Sequence, residues 1–392
     1  MHYRRSIHSV CAVAVCAAAI ALAFGAVGAA PAHAAPPQSA PAPSAQAEQK
    51  PPAPPAEKTA AEAFKNIQVL KDVPASQFMS NMFFISASLG VGCDHCHVTA
   101  EHGPWPLDKD DKKEKKTARE MMKMMMAINT QNFDGRQEVT CATCHNGHAD
   151  PAGFSPIRPL GEMRAEPEQA ATQTFPPADQ ILDRYIEALG GAAALESVHT
   201  RVLRGSLTFE SGHTYSLEVR EKAPNLGVFI ATSAEGHTSR DGFDGETAWN
   251  AAGARVFPSH GLEGARIARD LELFVDTDAK KHYARRFVVG KETVGGEDAW
   301  RLRLIGRGDV SEILDFSAAS GLLLRRTVLT KTTLGRYAEQ TDYSDYRLVD
   351  GVKLPFTVAR MEVNARYTEK YSEIKQNLPV DESAFHMPAG PK

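Results

Sequence analysis

Apolar positions recur along this chain with two different periods. Near the start, one apolar stretch covers residues 10–27. Residues 35–61 are rich in Pro, Ala, Gln and Ser; they hold too few large apolar side chains to bury a core and predict an extended linker. Phe78, Met82, Ile85 and Leu89 then recur at three- and four-residue steps, which predicts a helix with one apolar stripe, capped by Asp72, started by Pro74 and closed by Gly90. A second helical run over 113–129 carries two stripes, Met121–Met124–Ile128 and Met122–Met125, and ends near the polar turn Asn132-Phe133-Asp134-Gly135. A Pro-rich stretch containing Pro156, Pro159, Pro167 and Pro176 precedes an amphipathic helix over 178–191, whose apolar face is Ile181, Leu182, Tyr185, Ile186 and Leu189.

Beyond residue 200 the period falls to two. Leu203, Gly205, Leu207 and Phe209 alternate with polar residues, as do Tyr215, Leu217 and Val219. Further strands are expected over 227–232, 285–289, 300–305, 312–316, 322–330, 337–346 and 356–363, with one helix inserted over 261–274. Turns such as Ser211-Gly212 and Ala319-Ser320-Gly321 join neighbours, so the sheet is expected to be mostly antiparallel. The predicted fold is multidomain α+β. A small α-helical domain (62–160) and a linker (161–177) lead into a mostly antiparallel β half-barrel with helices (178–392), curved around its leading helix.

Charge narrows the function little, and the ends of the apolar stretches more. Lys and Arg number 44 against 48 Asp and Glu, interspersed for a net −4, which gives no case for nucleic-acid binding. Arg4 and Arg5 precede the first apolar stretch and Ala32-His33-Ala34 follows it. Residues 1–34 therefore read as a cleavable secretory signal, with a mature chain from Ala35 and a periplasmic address. Val15 stands before Cys16 where a lipoprotein signal needs a small residue. No later run is long enough to predict a membrane span.

Six cysteines are present, and Cys11 and Cys16 fall in the leader. The other four occupy two copies of one motif, Cys93-Asp94-His95-Cys96-His97 and Cys141-Ala142-Thr143-Cys144-His145. In Cys-x-x-Cys-His, two thiols three positions apart can each add across one vinyl group of a haem, and the adjoining imidazole can bind its iron. Cys-x-x-Cys pairs also hold zinc or act as thiol redox couples, but neither use requires His directly after both pairs. Two covalently attached haems c are therefore expected, through Cys93, Cys96, Cys141 and Cys144, with His97 and His145 as iron ligands. The sixth ligand decides between a closed iron suited to electron transfer and an open one suited to catalysis. Met79 and Met82 lie upstream of the first motif and Met121, Met122, Met124, Met125 and Met126 upstream of the second; periodicity does not choose among them.

The segments FKNIQVL (64–70), MFFISASLGVGCDHCHV (82–98), KKTAREMMKMMMAIN (115–129) and EVTCATCHNGH (138–148) closely resemble the cytochrome c subunit family of photosynthetic reaction centres. The shorter dihaem members from non-photosynthetic bacteria are the nearest in pattern, and the likeness covers about 63–155. The resemblance implies that a helix Met binds the haem whose motif follows it. That assigns Met82 to the first iron and Met124 to the second, with Met121 and Met125 as rivals for the latter. The subunit proper resembles a four-haem cytochrome, so with two motifs here the photosynthetic role does not carry over. His148 is an alternative ligand, Arg119 and Arg136 are candidate propionate partners or salt-bridge residues, and the charged run 108–116 reads as a docking patch or a solvated loop.

The C-terminal segments ILDRYIEALGGAAALESV (181–198), DGETAWN (244–250), DYRLVDGVKLPF (345–356) and NLPVDESAF (377–385) resemble the open half-barrel of periplasmic lipoprotein carriers, which implies a closing strand and a hollow able to take a lipid or quinone, or a docking surface. No Gly-x-Ser-x-Gly and no Gly-rich phosphate loop stands here. Taken together, these features predict a periplasmic dihaem electron carrier between redox proteins rather than an enzyme. The alternatives are a dihaem peroxidase or small-molecule reductase with one open iron, and a haem-bearing lipid or quinone sensor, peripherally membrane-associated.

Overall fold

The computed structural model describes residues 57–100, 105–151, 175–253, 255–275, 277–306 and 310–389. The leader expected over 1–34 and almost all of both linkers lie outside the described residues. The N-terminal helices are α1 (Ala60–Ala63), α2 (Ala75–Leu89), α3 (Lys113–Asn132) and α4 (Cys141–His145), followed by α5 (Ala178–Leu189) and α6 (Ala192–Glu196). Pro74 stands at the N-cap of α2 without a side-chain cap, and Ser76 N donates to Glu57 Oε1 at 2.8 Å; the cap expected of Asp72 is not formed. Gly90 ends α2 in the left-handed region (φ 65°), as the pattern predicted.

The face that α2 buries differs from the expected one. Ser80, Asn81, Phe84, Ser86 and Ser88 are buried, whereas the apolar stripe Phe78, Met82, Ile85 and Leu89 is only half-buried. Small polar residues pack inward because they let the backbone of a neighbouring segment approach and supply its hydrogen bonds. Asn81 Oδ1 accepts from Leu334 N at 3.2 Å, and Ser88 Oγ donates to Phe84 O at 2.7 Å.

The C-terminal strands are β1 (Thr200–Phe209), β2 (Thr214–Lys222), β3 (Leu226–Thr232), β4 (Thr238–Phe243), β5 (Ala248–Ala252) and β6 (Arg255–Ser259). Helices α7 (Gly261–Asp270) and α8 (Ala279–His282) intervene. Then come β7 (Arg285–Val294), β8 (Glu297–Ile305), β9 (Val310–Ser317), β10 (Leu323–Lys331), β11 (Arg336–Val349), β12 (Val352–Met361) and β13 (Arg366–Gln376). They form one 13-stranded sheet in the order β6-β5-β4-β3-β2-β1-β13-β12-β11-β10-β9-β8-β7. All described pairs are antiparallel. The chain meanders from β1 to one edge, crosses through α7 and α8 to the other edge, and meanders back until β13 pairs β1 in the middle, with Leu203 opposite Ile374.

This is the α+β architecture that the period change predicted, with an open sheet rather than a closed barrel. Strands β4, β5 and β6 were not legible: Thr238-Ser239-Arg240-Asp241 is polar, and β6 carries Pro258, which an edge strand tolerates. The inserted helix is shorter than expected, stopping at Asp270. Alternate sheet residues Leu203, Leu207, Leu217 and Val219 pack with Ile181, Leu182, Tyr185 and Leu189 of α5 and with Ile267 of α7.

A smaller core joins the N-terminal helices to the sheet. Phe84, Met122 and Met125 pack with Leu334 and Tyr337 from the hairpin between β10 and β11. Phe84 is 1% and Leu334 0% exposed, so burial at this junction is complete. A Cβ on Gly335 would lie 2.3 Å from the Phe84 ring, which shows why the hairpin tip carries glycine there. A second tip contributes Asn364, whose Oδ1 accepts from Ser86 Oγ at 3.0 Å.

Candidate haem sites

The first motif begins three residues past the α2 cap as a short 3-10 turn, Cys93–His95. Its His97 Nδ1 lies 3.0 Å from Leu107 O. A carbonyl only accepts, so Nδ1 carries the proton and the Nε2 lone pair is left for a metal. Burial holds the His97 imidazole below its ordinary value, which favours the neutral form a ligand needs. The loop that presents Leu107 is braced from two sides. Asn66 Nδ2 donates to Asp108 O at 2.6 Å, and Lys115 Nζ donates to Leu107 O at 2.8 Å and Lys109 O at 2.7 Å. Asp110 pairs with Arg119 at 2.8 Å, and hydrogen bonding to that guanidinium, with Asn66, holds its carboxyl far below the usual range. Residues 108–112 are thus a loop wired into α3, and residues 113–116 are the first turn of that helix. Arg119 is buried, bound to Asp110 and Asn66 O, and Arg136 pairs with Glu138 at 2.9 Å.

The second motif is α4 itself, with Thr140 as N-cap and Asn146 in the left-handed region at its end. His145 Nδ1 lies 3.0 Å from His148 O, so this imidazole has the same tautomer as His97. His148 contributes its carbonyl here, and its side chain is exposed. Asn129 of α3 fixes the strand entering the motif: Nδ2 donates to Val139 O at 2.7 Å and Oδ1 accepts from Val139 N at 2.9 Å. The two motifs meet through their flanks. Gly147 N donates to Ser88 O at 2.8 Å, and a Cβ on Gly90 would lie 2.2 Å from Gly147 O.

All four motif cysteines are free thiols. Burial pushes the Cys96 and Cys141 thiols up, the opposite of the depression that marks a reactive dithiol. The methionines separate by burial. Met122 and Met125 lie in the core, and Asn129 Nδ2 sits 3.2 Å from Met125 Sδ. Met121 and Met124 project from the same helix with 38% and 48% exposure, and Met82 is half-buried on α2. Phe64, Met79, Trp105, Leu107 and Met126 are exposed as well, so this segment presents far more apolar surface than charged loops usually do. A flat apolar macrocycle beside each Cys-x-x-Cys-His, its iron facing Nε2 of His97 or His145, suits that surface and those donors.

The half-barrel encloses charge. Two cavities of about 130 and 90 Å³ share Glu221, Asp270, Arg360, Glu369 and Tyr371 in their lining, and Arg201 lines the larger of these two. Arg360 Nε sits 2.7 Å from Glu369 Oε1, Arg201 Nε 2.6 Å from Glu221 Oε2, and Arg326 Nη2 2.8 Å from Glu312 Oε1. These volumes fall below the roughly 300 Å³ at which small-molecule pockets begin. No described helix is long and apolar enough to cross a membrane.

Two Cys-x-x-Cys-His motifs with donors arranged in this way are the pattern found in c-type cytochromes. Residues 22–173 match the family described as the photosynthetic reaction centre cytochrome C subunit. The chain is 30% identical over 179 residues to the photosynthetic reaction center cytochrome c subunit of Thermochromatium tepidum, covering 41% of this chain and 43% of that one. It is 33% identical over 88 residues to cytochrome c-554 of Chloroflexus aurantiacus, covering 21% and 20%. The chain therefore spans less than half the length of the curated relatives it matches. Among solved structures, a DUF1329 family protein from Desulfovibrio piger aligns with 54% of this chain and 98% of its own, at 14% identity and TM-score 0.41. A LolA superfamily protein from Nitrosomonas europaea aligns with 54% and 98%, at 15% identity and TM-score 0.38.

The residues that sequence reasoning missed are Leu107 and Lys115. The first acts through a backbone carbonyl, which no side-chain pattern marks, and the second sat inside a charged run indistinguishable from a solvated loop.

Proposed function

We propose that this chain is an exported dihaem c-type cytochrome that carries electrons between redox proteins. The observation that carries the reading is shared by both motifs: each histidine gives Nδ1–H to a backbone carbonyl and keeps Nε2 for a metal, beside two free thiols. When bound, haem supplies a one-electron couple at iron. The chain's own residues would do the rest. Cys93 and Cys96, and Cys141 and Cys144, would tether the macrocycles; Leu107 O and His148 O orient the imidazoles; Met82 and Met124 would supply thioethers. The exposure of Met121 and Met124, against the burial of Met122 and Met125, favours the first stripe as the source of the second thioether. Closed irons of this kind suit electron transfer rather than peroxide chemistry.

The half-barrel is read as a docking body for a redox partner. Its hollow is small and filled by paired charges, which argues against an acyl chain or quinone as occupant.

The test is a haem assay by pyridine haemochrome, with near-infrared magnetic circular dichroism, on protein made with its leader in a periplasm-competent host. Two covalently bound low-spin His/Met haems are expected. A single haem, or a high-spin iron, would overturn the carrier reading.

A further inference from the structure

We infer that Lys115 sets the two sites apart electrochemically, so that the iron held by His97 has the higher reduction potential of the pair. This deepens the function proposed above and rests on it. Leu107 O receives two donors, His97 Nδ1 at 3.0 Å and Lys115 Nζ at 2.8 Å. An ammonium on that oxygen draws its electron density away from the imidazole N–H. The ring then gains less imidazolate character and donates less strongly to the metal, which favours the reduced state.

The cations nearest His97, which are Lys115, Arg119 and Lys112, act in the same direction, against Glu114 beside Cys96. Lys112 Nζ donates to Asp94 O inside the first motif, and Lys115 also donates to Lys109 O. One carboxylate, Asp110, faces both Lys115 at 3.2 Å and Arg119 at 2.8 Å, so this triad keeps a positive balance. A positive charge near an iron disfavours its more positive oxidation state. The second site differs: among the described residues, the carbonyl that orients His145 accepts from no lysine or arginine.

Burial adds a third contribution of the same sign. At matching motif positions His95 and Cys96 are half-buried where Thr143 and Cys144 are exposed, while Cys93 and Cys141, and His97 and His145, are half-buried alike. Less water around an iron centre penalises the extra charge of the ferric form.

The experiment is a spectroelectrochemical titration of the full-length, haem-loaded protein and three variants. Wild type is expected to show two midpoints. Lys115→Met lowers the upper one and leaves the lower in place, whereas Lys115→Arg keeps the charge and leaves both close to wild type. Asp110→Asn removes the facing anion and raises the upper midpoint, so it tests the opposite sign should Lys115→Met fail to load haem. A shift of the lower midpoint instead, an upper midpoint that neither variant moves, or a wild-type protein titrating as one wave would each overturn the inference. Haem content is measured on the same samples. Fewer than two haems in the wild type sinks the carrier reading itself; two haems with an unresponsive upper midpoint sinks only the assignment to Lys115.

Discussion

Leu334 donates its backbone N–H to Oδ1 of Asn81 at 3.2 Å, which ties the tip of the β10–β11 hairpin to the helix that leads into the first haem motif. Around that bond Phe84, Met122, Met125 and Tyr337 close one apolar core. Truncating Leu334 to Ala is expected to cost about 2–5 kcal/mol, because the side chain is completely buried. Gly335→Ala is expected to cost about 1–3 kcal/mol, because its methyl group would enter the Phe84 ring. Urea unfolding followed at the Soret band and in the far-ultraviolet checks this. Both signals should shift together, and a Soret transition unmoved in Leu334→Ala would show that the junction carries no energetic weight.

The methionines of α3 give a contrast within one helix. Met124→Leu is expected to remove one of two His/Met signatures in near-infrared magnetic circular dichroism, and Met82→Leu the other. Met125→Leu should keep both and lose less than about 1.5 kcal/mol of stability, since its sulfur is committed to the core beside Asn129. If Met121→Leu and not Met124→Leu removes the signature, the ligand lies one turn earlier.

Glu339, on β11, has its carboxyl pushed up to about 7 from 4.5, first by burial and then by Glu362, Asp270 and Glu263, against the opposing pull of Arg266. Below about pH 4.5 both folded and unfolded chains hold this proton, and the group is neutral to stability. Between about 4.5 and 7 the unfolded chain releases it while the folded chain retains it, so stability falls as pH rises through this window. Wild type is expected to lose on the order of 1–3 kcal/mol from this group between pH 4.5 and 8. Glu339→Gln should flatten that part of the profile in urea midpoints measured across the range, and an unchanged slope would remove Glu339 as its source.

Much of this was legible because it depends on period and spacing. Gly90 stops α2 where the pattern placed it, and the alternation over β1 and β2 marks buried Leu203, Leu217 and Val219. The inward face of α2 was hidden for a physical reason. Its apolar stripe stays half-open, whereas Ser80, Asn81 and Ser88 are buried, with Asn81 bonded to Leu334 of the hairpin. A helix built to face a cofactor presents its apolar residues to something that the polypeptide pattern does not contain. Likewise the sequence left Arg119 open between a propionate and a salt bridge, and Asp110, nine positions earlier, takes it. Such pairings depend on how a loop folds back, and charge order along a chain does not encode that.

The pairing of β1 with β13 has a consequence for the order of events as the chain is made. Thr200 Oγ1 donates to Leu378 O across 178 positions, so the middle of the sheet stays unfinished until nearly the last residues exist. Both haem motifs lie ahead of β1, and Leu334, which seals Phe84, lies far behind it. A long-range closure of this kind is slow compared with forming α2 and α3. The attachment segment therefore exists for a time as helices without their lid. During that interval Phe84, Met122 and Met125 lack the Leu334 and Tyr337 side chains that bury them in the folded chain.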